Sequence, residues 1–230
     1  MSSQLIVALD FAKQNDALAL AEQLDPKLCA LKVGSEMFCL FGSEFVRRLI
    51  KMGFKIFLDL KFHDIPNTVA KACQACAELE VWMLNVHASG GLAMMKAARK
   101  ALEPFGANRP LLIAVTILTS FGAEDLYAIG LDCTIEVQVE RLAQLTLKAG
   151  LDGVVCSAYE VPMIKKVCGQ TFLTVVPGIR LLNDDKNDQT RVMTPEQAVA
   201  LGSDFLVVGR SITAATKPAK VVQKILAMSS

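Results

Sequence analysis

The sequence lacks any apolar run near the roughly 18 residues a helix needs to cross a bilayer, although 53% of its 230 residues are hydrophobic. It also has almost no net charge: 24 Lys and Arg stand against 23 Asp and Glu, giving +1 at pH 7. That balance supplies neither the basic field a nucleic acid requires nor an acidic tail, so no nucleic-acid or membrane partner is expected. Only two His are present, and nothing near them completes a metal-ligand set, so no metal is expected. The opening MSSQLIVALD has no basic segment ahead of its apolar one and reaches Asp10 too early for a secretory leader. The seven cysteines are odd in number and sit in apolar stretches such as CALKVG and GVVCSA, which reads as reduced, buried thiols in a cytoplasmic protein. Cys73 and Cys76 form a C-x-x-C, but inside an expected helix and without a second pair, so they too are assigned to the core.

No low-complexity linker or composition shift divides the chain, and residues 1–230 are expected to form one domain. What recurs is a short apolar run, a turn and an amphipathic stretch. The expected strands are 4–10, 28–34, 54–62, 81–88, 110–119, 153–158, 172–178 and 204–210. Their hydrophobicity is nearly continuous, as in parallel strands covered on both faces. Helical patterns lie between them. NDALALAEQL begins at a candidate Asn15 or Asp16 cap, GSEFVRRLIKMG closes on Gly53, and IPNTVAKACQACAEL carries Pro in its first turn. In TIEVQVERLAQLTLKAG, Glu136, Glu140 and Arg141 mark the wet face, and Val137, Leu142 and Leu145 the apolar one. TPEQAVALG and PAKVVQKILAM end the series. Eight strands alternating with helices predict a (β/α)8 TIM barrel, a fold of about 250 residues. An open doubly wound sheet would call for a Gly-rich first turn, and strand 1 runs instead into ALDFAKQND, with no G-x-G-x-x-G.

In such a barrel chemistry gathers where the strands end. Those ends hold Asp10, Lys32, Asp59 with Lys61, His87, Thr119 with Ser120, Ser157, Gly178 to Arg180, and Gly209 with Arg210. Asp10, Lys32, Asp59 and Lys61 interrupt apolar runs rather than follow them. Asp59 and Lys61 are two apart and share a strand face, and Asp64 lies in the loop just beyond. With Lys32 entering from the neighbouring strand, two ammonium groups and two carboxylates alternate, each favouring the ionised form of its neighbours. A solvated ion-pair rim is the other reading of these residues. VPGIR and VVGRS place Gly and then Arg at the ends of strands 7 and 8, where many barrels bind phosphate. NDDKND, 183–188, reads as a loop able to cover that phosphate.

LIVALD, LKVG, FLDLKFHDIPNT, TILTS, VPGIR, DQTR ahead of MTPEQA, and VVGRSIT follow one another in an order that resembles orotidine 5′-phosphate decarboxylases of the short bacterial type. D-x-K-x-x-D alone is shared with sister decarboxylases; followed by I-P-N-T it is far more specific. The resemblance implies a (β/α)8 homodimer that converts orotidine 5′-monophosphate to uridine 5′-monophosphate and CO2 without a cofactor. It implies that Lys61 donates the proton to C6, that Asp59 stands beside the leaving carboxylate, and that Lys32 and Asp64 complete the network. It further implies that Asp64, Ile65 and Thr68 reach the neighbouring subunit's site, and that Asp10 and Lys32 contact the ribose. Thr119 and Ser120 would meet the pyrimidine edge, and Arg180, Gln189, Gly209 and Arg210 would grip the phosphate. Ser211 departs from the Pro more usual in the family.

Two alternatives are carried forward. One is a Mg-dependent sugar-phosphate decarboxylase of the same suprafamily, which would want an acidic metal ligand where this chain has Lys32. The other is a barrel that binds a nucleotide phosphate without turning it over.

Overall fold

Each strand buries both faces because a closed ring of strands has an inside, filled by its own side chains, and an outside covered by helices. The computed structural model describes residues 4–181 and 193–228. Its strands are β1 (Gln4–Leu9), β2 (Ala30–Gly34), β3 (Ile56–Phe62), β4 (Met83–His87), β5 (Leu111–Val115), β6 (Gly153–Val155), β7 (Leu173–Val176) and β8 (Phe205–Val208). All neighbours pair in parallel, and β8 returns to β1, closing the barrel in sequence order. The (β/α)8 architecture expected from the strand spacing is therefore the fold.

The helices among the described residues are α1 (Gln14–Ala21), α2 (Ser35–Lys51), α3 (Pro66–Glu78), α4 (Gly91–Ala101), α5 (Ala123–Ala128), α6 (Ile135–Lys148), α7 (Val161–Cys168), α8 (Pro195–Ala200), α9 (Arg210–Thr213) and α10 (Pro218–Met228). Their apolar faces and the outward strand residues, among them Val7, Leu31, Ile56, Leu84 and Leu112, form the large core. A second, smaller core fills the ring: Ile6, Ala8, Ala30, Phe57, Met83, Ile113, Val175, Phe205 and Val207. Gly153 belongs to this tight interior, since a Cβ there would stand 2.2 Å from the Leu173 carbonyl oxygen.

Several local expectations are corrected. Helix α1 starts one residue before Asn15, with Lys13 as N-cap and no side-chain cap bond. Val137 is exposed, whereas Val139, Leu142, Ala143 and Thr146 are buried. The true stripe follows i, i+3, i+4 and i+7, and Val137 lies roughly 200° around the helix from Val139. Helix α2 begins at Ser35 and is interrupted at Gly42, whose φ of 62 only glycine adopts readily. Of the cysteines, Cys29, Cys73, Cys76 and Cys156 are buried, Cys133 and Cys168 are partly so, and Cys39 is exposed. Burial pushes the Cys73 and Cys76 thiols up to about 12, which keeps them protonated and inert.

Strand β5 stops at Val115, short of the expected 119, because its partner β6 offers only three residues. Thr116 still bonds the Val155 carbonyl through both its N–H and its hydroxyl, and the chain then leaves the sheet. Thr119 and Ser120 consequently lie in the loop above the barrel.

Candidate active site

Side chains alternate across a strand, so the inward rule can be followed past the apolar filling. Two residues beyond Ala8, Ala30, Phe57, Met83 and Val207 stand Asp10, Lys32, Asp59, Asn85 and Gly209. The interior thus turns polar at one level on β1 to β4, at the C-terminal ends of these strands, while β5 to β7 present Val115, Val155 and Pro177 there. Above it opens a cavity of about 380 Å³, with Asp10, Lys32, Asp59, Lys61, Arg180 and Arg210 among its lining residues.

Asp59 is the centre of the charge network. It is only 8% exposed, yet its Oδ1 lies 2.7 Å from Lys61 Nζ and its Oδ2 3.4 Å from Lys32 Nζ. Lys32 also stands 3.5 Å from Asp10 Oδ1, on the exposed side. Burial alone would raise the Asp59 pKa. The two ammonium groups and the hydrogen bonds from Lys61 and Asn85 outweigh it and hold the carboxyl below the usual carboxylate range. Asp59 is therefore ionised throughout the neutral range.

Strand β3 is irregular where it carries these residues. Leu58 pairs with Leu84 and Phe62 with Val86, so four steps along β3 run against two along β4. Within this bulge Lys61 takes a φ of 52, in the left-handed region that non-glycine residues rarely enter. Its backbone N–H donates to Asn85 Oδ1 at 2.8 Å, and Asn85 Nδ2 donates to Asp59 Oδ1 at 2.7 Å.

Thr119 and Ser120 line the cavity from the β5–α5 loop, Arg180 from the end of β7, and Gly209 and Arg210 from the start of α9. The Arg180 Nε is buried without a hydrogen-bond partner among the described residues. Gln189 and the 183–188 stretch lie outside the described residues. Asp64, Ile65 and Thr68 are all exposed and do not line this cavity. Asp64 instead accepts the Ile65 N–H at 2.6 Å and borders a shallow depression with His63, Pro66, Ser89 and Gly90. Within one chain the second carboxylate of the Lys–Asp alternation is accordingly Asp10, not Asp64.

His87 stands half-buried at the end of β4, its ring 5.4 Å from that of His63. Burial, helped by His63 and Lys61, lowers its pKa against the opposing pull of Asp59. Asn85 is the residue that reading the sequence missed. Its signal was a polar residue two positions after Met83, in a strand otherwise apolar as far as His87.

A (β/α)8 barrel whose strand ends carry alternating Lys and Asp, with arginines at strands 7 and 8, defines a class of small-molecule site built for an anionic ligand. The family follows from comparison with known proteins. A model of the Orotidine 5′-phosphate decarboxylase / HUMPS family matches residues 3–225, and the chain belongs to that family. The chain is 60% identical over 226 residues to an orotidine 5′-phosphate decarboxylase of Legionella pneumophila (strain Corby), covering 98% of this chain and 99% of that one. The same identity and coverage hold for the protein of that name from strain Lens. Among solved structures, orotidine 5′-phosphate decarboxylase from Lactobacillus acidophilus superposes with a TM-score of 0.89 at 36% identity, over 99% of each chain. An uncharacterized conserved protein from Geobacillus kaustophilus superposes at 0.86 with 38% identity, over 98% of this chain and 100% of its own.

Proposed function

We propose that this chain is an orotidine 5′-phosphate decarboxylase, a carbon–carbon lyase of pyrimidine biosynthesis that converts orotidine 5′-monophosphate to uridine 5′-monophosphate and CO2. The observation that carries the reading is the Lys32–Asp59–Lys61 array at the floor of the cavity, in a chain 60% identical to proteins of that name.

The chemistry asks for such an array. Breaking the bond between C6 and the carboxylate leaves an electron pair in the plane of the pyrimidine, where the ring's π-system cannot spread it. Lys61 meets that charge as an ammonium, stabilises it electrostatically, and transfers a proton to C6, giving the C6–H bond of the product. The resulting neutral amine regains its proton from solvent. Asp59 fixes the ammonium at 2.7 Å, and its own charge faces the substrate carboxylate until CO2 departs. Lys32 balances Asp59 from β2 and, with Asp10, takes the ribose hydroxyls. Thr119 and Ser120 serve the pyrimidine edge, and Arg180, Gln189, Gly209 and Arg210 the phosphate.

An ammonium at Lys32, 3.4 Å from Asp59, sets a cation where the Mg-dependent sister reaction would want an acidic ligand. The first test is loss of the orotidine-monophosphate ultraviolet absorbance with purified protein, with and without EDTA. Rapid loss unaffected by chelation is expected. No loss from folded protein would overturn the substrate assignment.

The phosphate lies away from the bond that breaks, so its binding energy serves the closed, dehydrated site that the transition state needs. Arg210→Ala is expected to lower kcat/KM by about 100-fold, the loss of a charge-assisted contact worth about 3 kcal/mol. Steady-state kinetics check this, and unchanged kcat and KM would place the phosphate elsewhere.

The same reading makes the chain one domain, a cytoplasmic protein and a homodimer with shared sites. Free thiols support the compartment. Exposed Asp64, Ile65 and Thr68 support the dimer. Ile65 leaves 66% of its surface open beside the strand that bears Lys61, as suits a loop that packs into a second subunit.

A further inference from the structure

The contact between Lys61 and Asp59 depends on two features that β3 does not secure by itself. One is the left-handed backbone of Lys61, an unfavourable state for a residue with a Cβ. The other is the orientation of the Asp59 carboxylate, buried at the floor of the cavity. A single side chain on the next strand meets both. Asn85 is fully buried. Its Oδ1 accepts the Lys61 N–H at 2.8 Å, and its Nδ2 donates at 2.7 Å to the Asp59 oxygen that also receives Lys61 Nζ. The partners leave no ambiguity about which end of the amide is which, since one is an N–H and the other a carboxylate. An amide presents a donor and an acceptor on one rigid plane; Asp would lose the donor, and Leu would lose both.

We propose that Asn85 is a positioning residue of the decarboxylation, holding the Lys61 backbone in its left-handed turn with one end of its amide and the Asp59 carboxylate with the other. This rests on the decarboxylase reading of the site. Asn85 touches no reacting atom. It sets the distance and direction from which the Lys61 ammonium reaches the substrate, and small displacements of that kind cost rate more than affinity. It also sets the titration of Asp59. That carboxylate is faced by Lys32 from β2, Lys61 from its own strand and half-buried His87 from β4, with Asp10 behind Lys32. With those groups unchanged, loss of the Nδ2 donor removes a bond to the ionised form, and the Asp59 pKa rises.

The test compares Asn85→Leu and Asn85→Ser with the parent enzyme by kcat, KM, thermal midpoint and a 13C NMR titration of the Asp59 carboxyl. The expected result is a kcat lowered about 10- to 100-fold, the equivalent of one hydrogen bond to a charged group. KM should stay within about threefold, and the Asp59 midpoint should move up. The serine variant, smaller and able to admit a water, serves should the leucine variant fail to fold. A folded variant with kcat within about twofold of the parent and an unmoved Asp59 midpoint would overturn the proposal, even if it melts earlier. If the parent enzyme turns over no orotidine monophosphate, the decarboxylase reading falls. The Asp59 titration still decides whether Asn85 governs that carboxylate.

Discussion

Replacing Lys61 with Ala is expected to lower kcat by about 10,000-fold or more while KM changes little, because two effects vanish together. Proton donation by a placed group contributes about 10²- to 10⁴-fold. Electrostatic stabilisation of developing charge in a water-excluded site contributes about another 10²- to 10³-fold. Both act on the in-plane electron pair at C6, which exists only after the bond to CO2 has begun to break, so little of either is felt in the ground state. The substitution also leaves Asp59 without the ammonium at 2.7 Å. Lys32 and Asn85 still face that carboxylate, which keeps the barrel interior satisfied and the protein folded. Steady-state kinetics with a melting curve check the result. A folded Lys61→Ala protein with a rate near that of the parent would end the assignment of Lys61 as proton donor.

Mixing two nearly dead proteins should restore activity. Lys61→Ala and Asp64→Ala each break every site of their own homodimer if Asp64 acts across the interface. In a mixed dimer one site combines the intact Lys61 of one copy with the intact Asp64 of the other, and the second site lacks both. Random reassortment makes half of the dimers mixed, so about a quarter of all sites regain the full set. Activity near a quarter of the parent's is therefore expected after subunit exchange verified by mass labelling. No recovery after complete exchange would count against a shared site. The structural reason to expect sharing is that Asp64 is exposed, hydrogen-bonded to the adjacent Ile65 N–H, and absent from the lining of its own chain's cavity.

Much of this architecture could be read locally. All eight strands lie within their expected ranges, because strands covered on both faces have a continuous apolar signature that turns interrupt. A spacing of two residues pointed to Asp59 and Lys61 as partners, although the contact itself is made through the bulge in β3. Helix faces were less legible: Val137 and Val139 are both apolar, and only packing chose between them. Helices α4, α5, α7 and the short α9 went unread. Asn85 was missed because one polar residue in an apolar strand carries no sign of its partners, which lie 24 and 26 residues earlier in the chain.

The sequence by itself determined the alternation of strand and helix, and hence the barrel. It also determined the level at which β1 to β4 turn polar, since an inward position every second residue is a property of the strand alone. Only the tertiary structure decided what those polar ends meet. Closure of β8 onto β1 and the register of β1, β2 and β3 bring Asp10 and Lys32 to Asp59. The bulge against β4 turns Lys61 onto the same carboxylate. Asp64, in the loop beyond β3, stands outside its own chain's cavity. Such contacts join residues distant in the chain and depend on register and closure, which no local periodicity encodes.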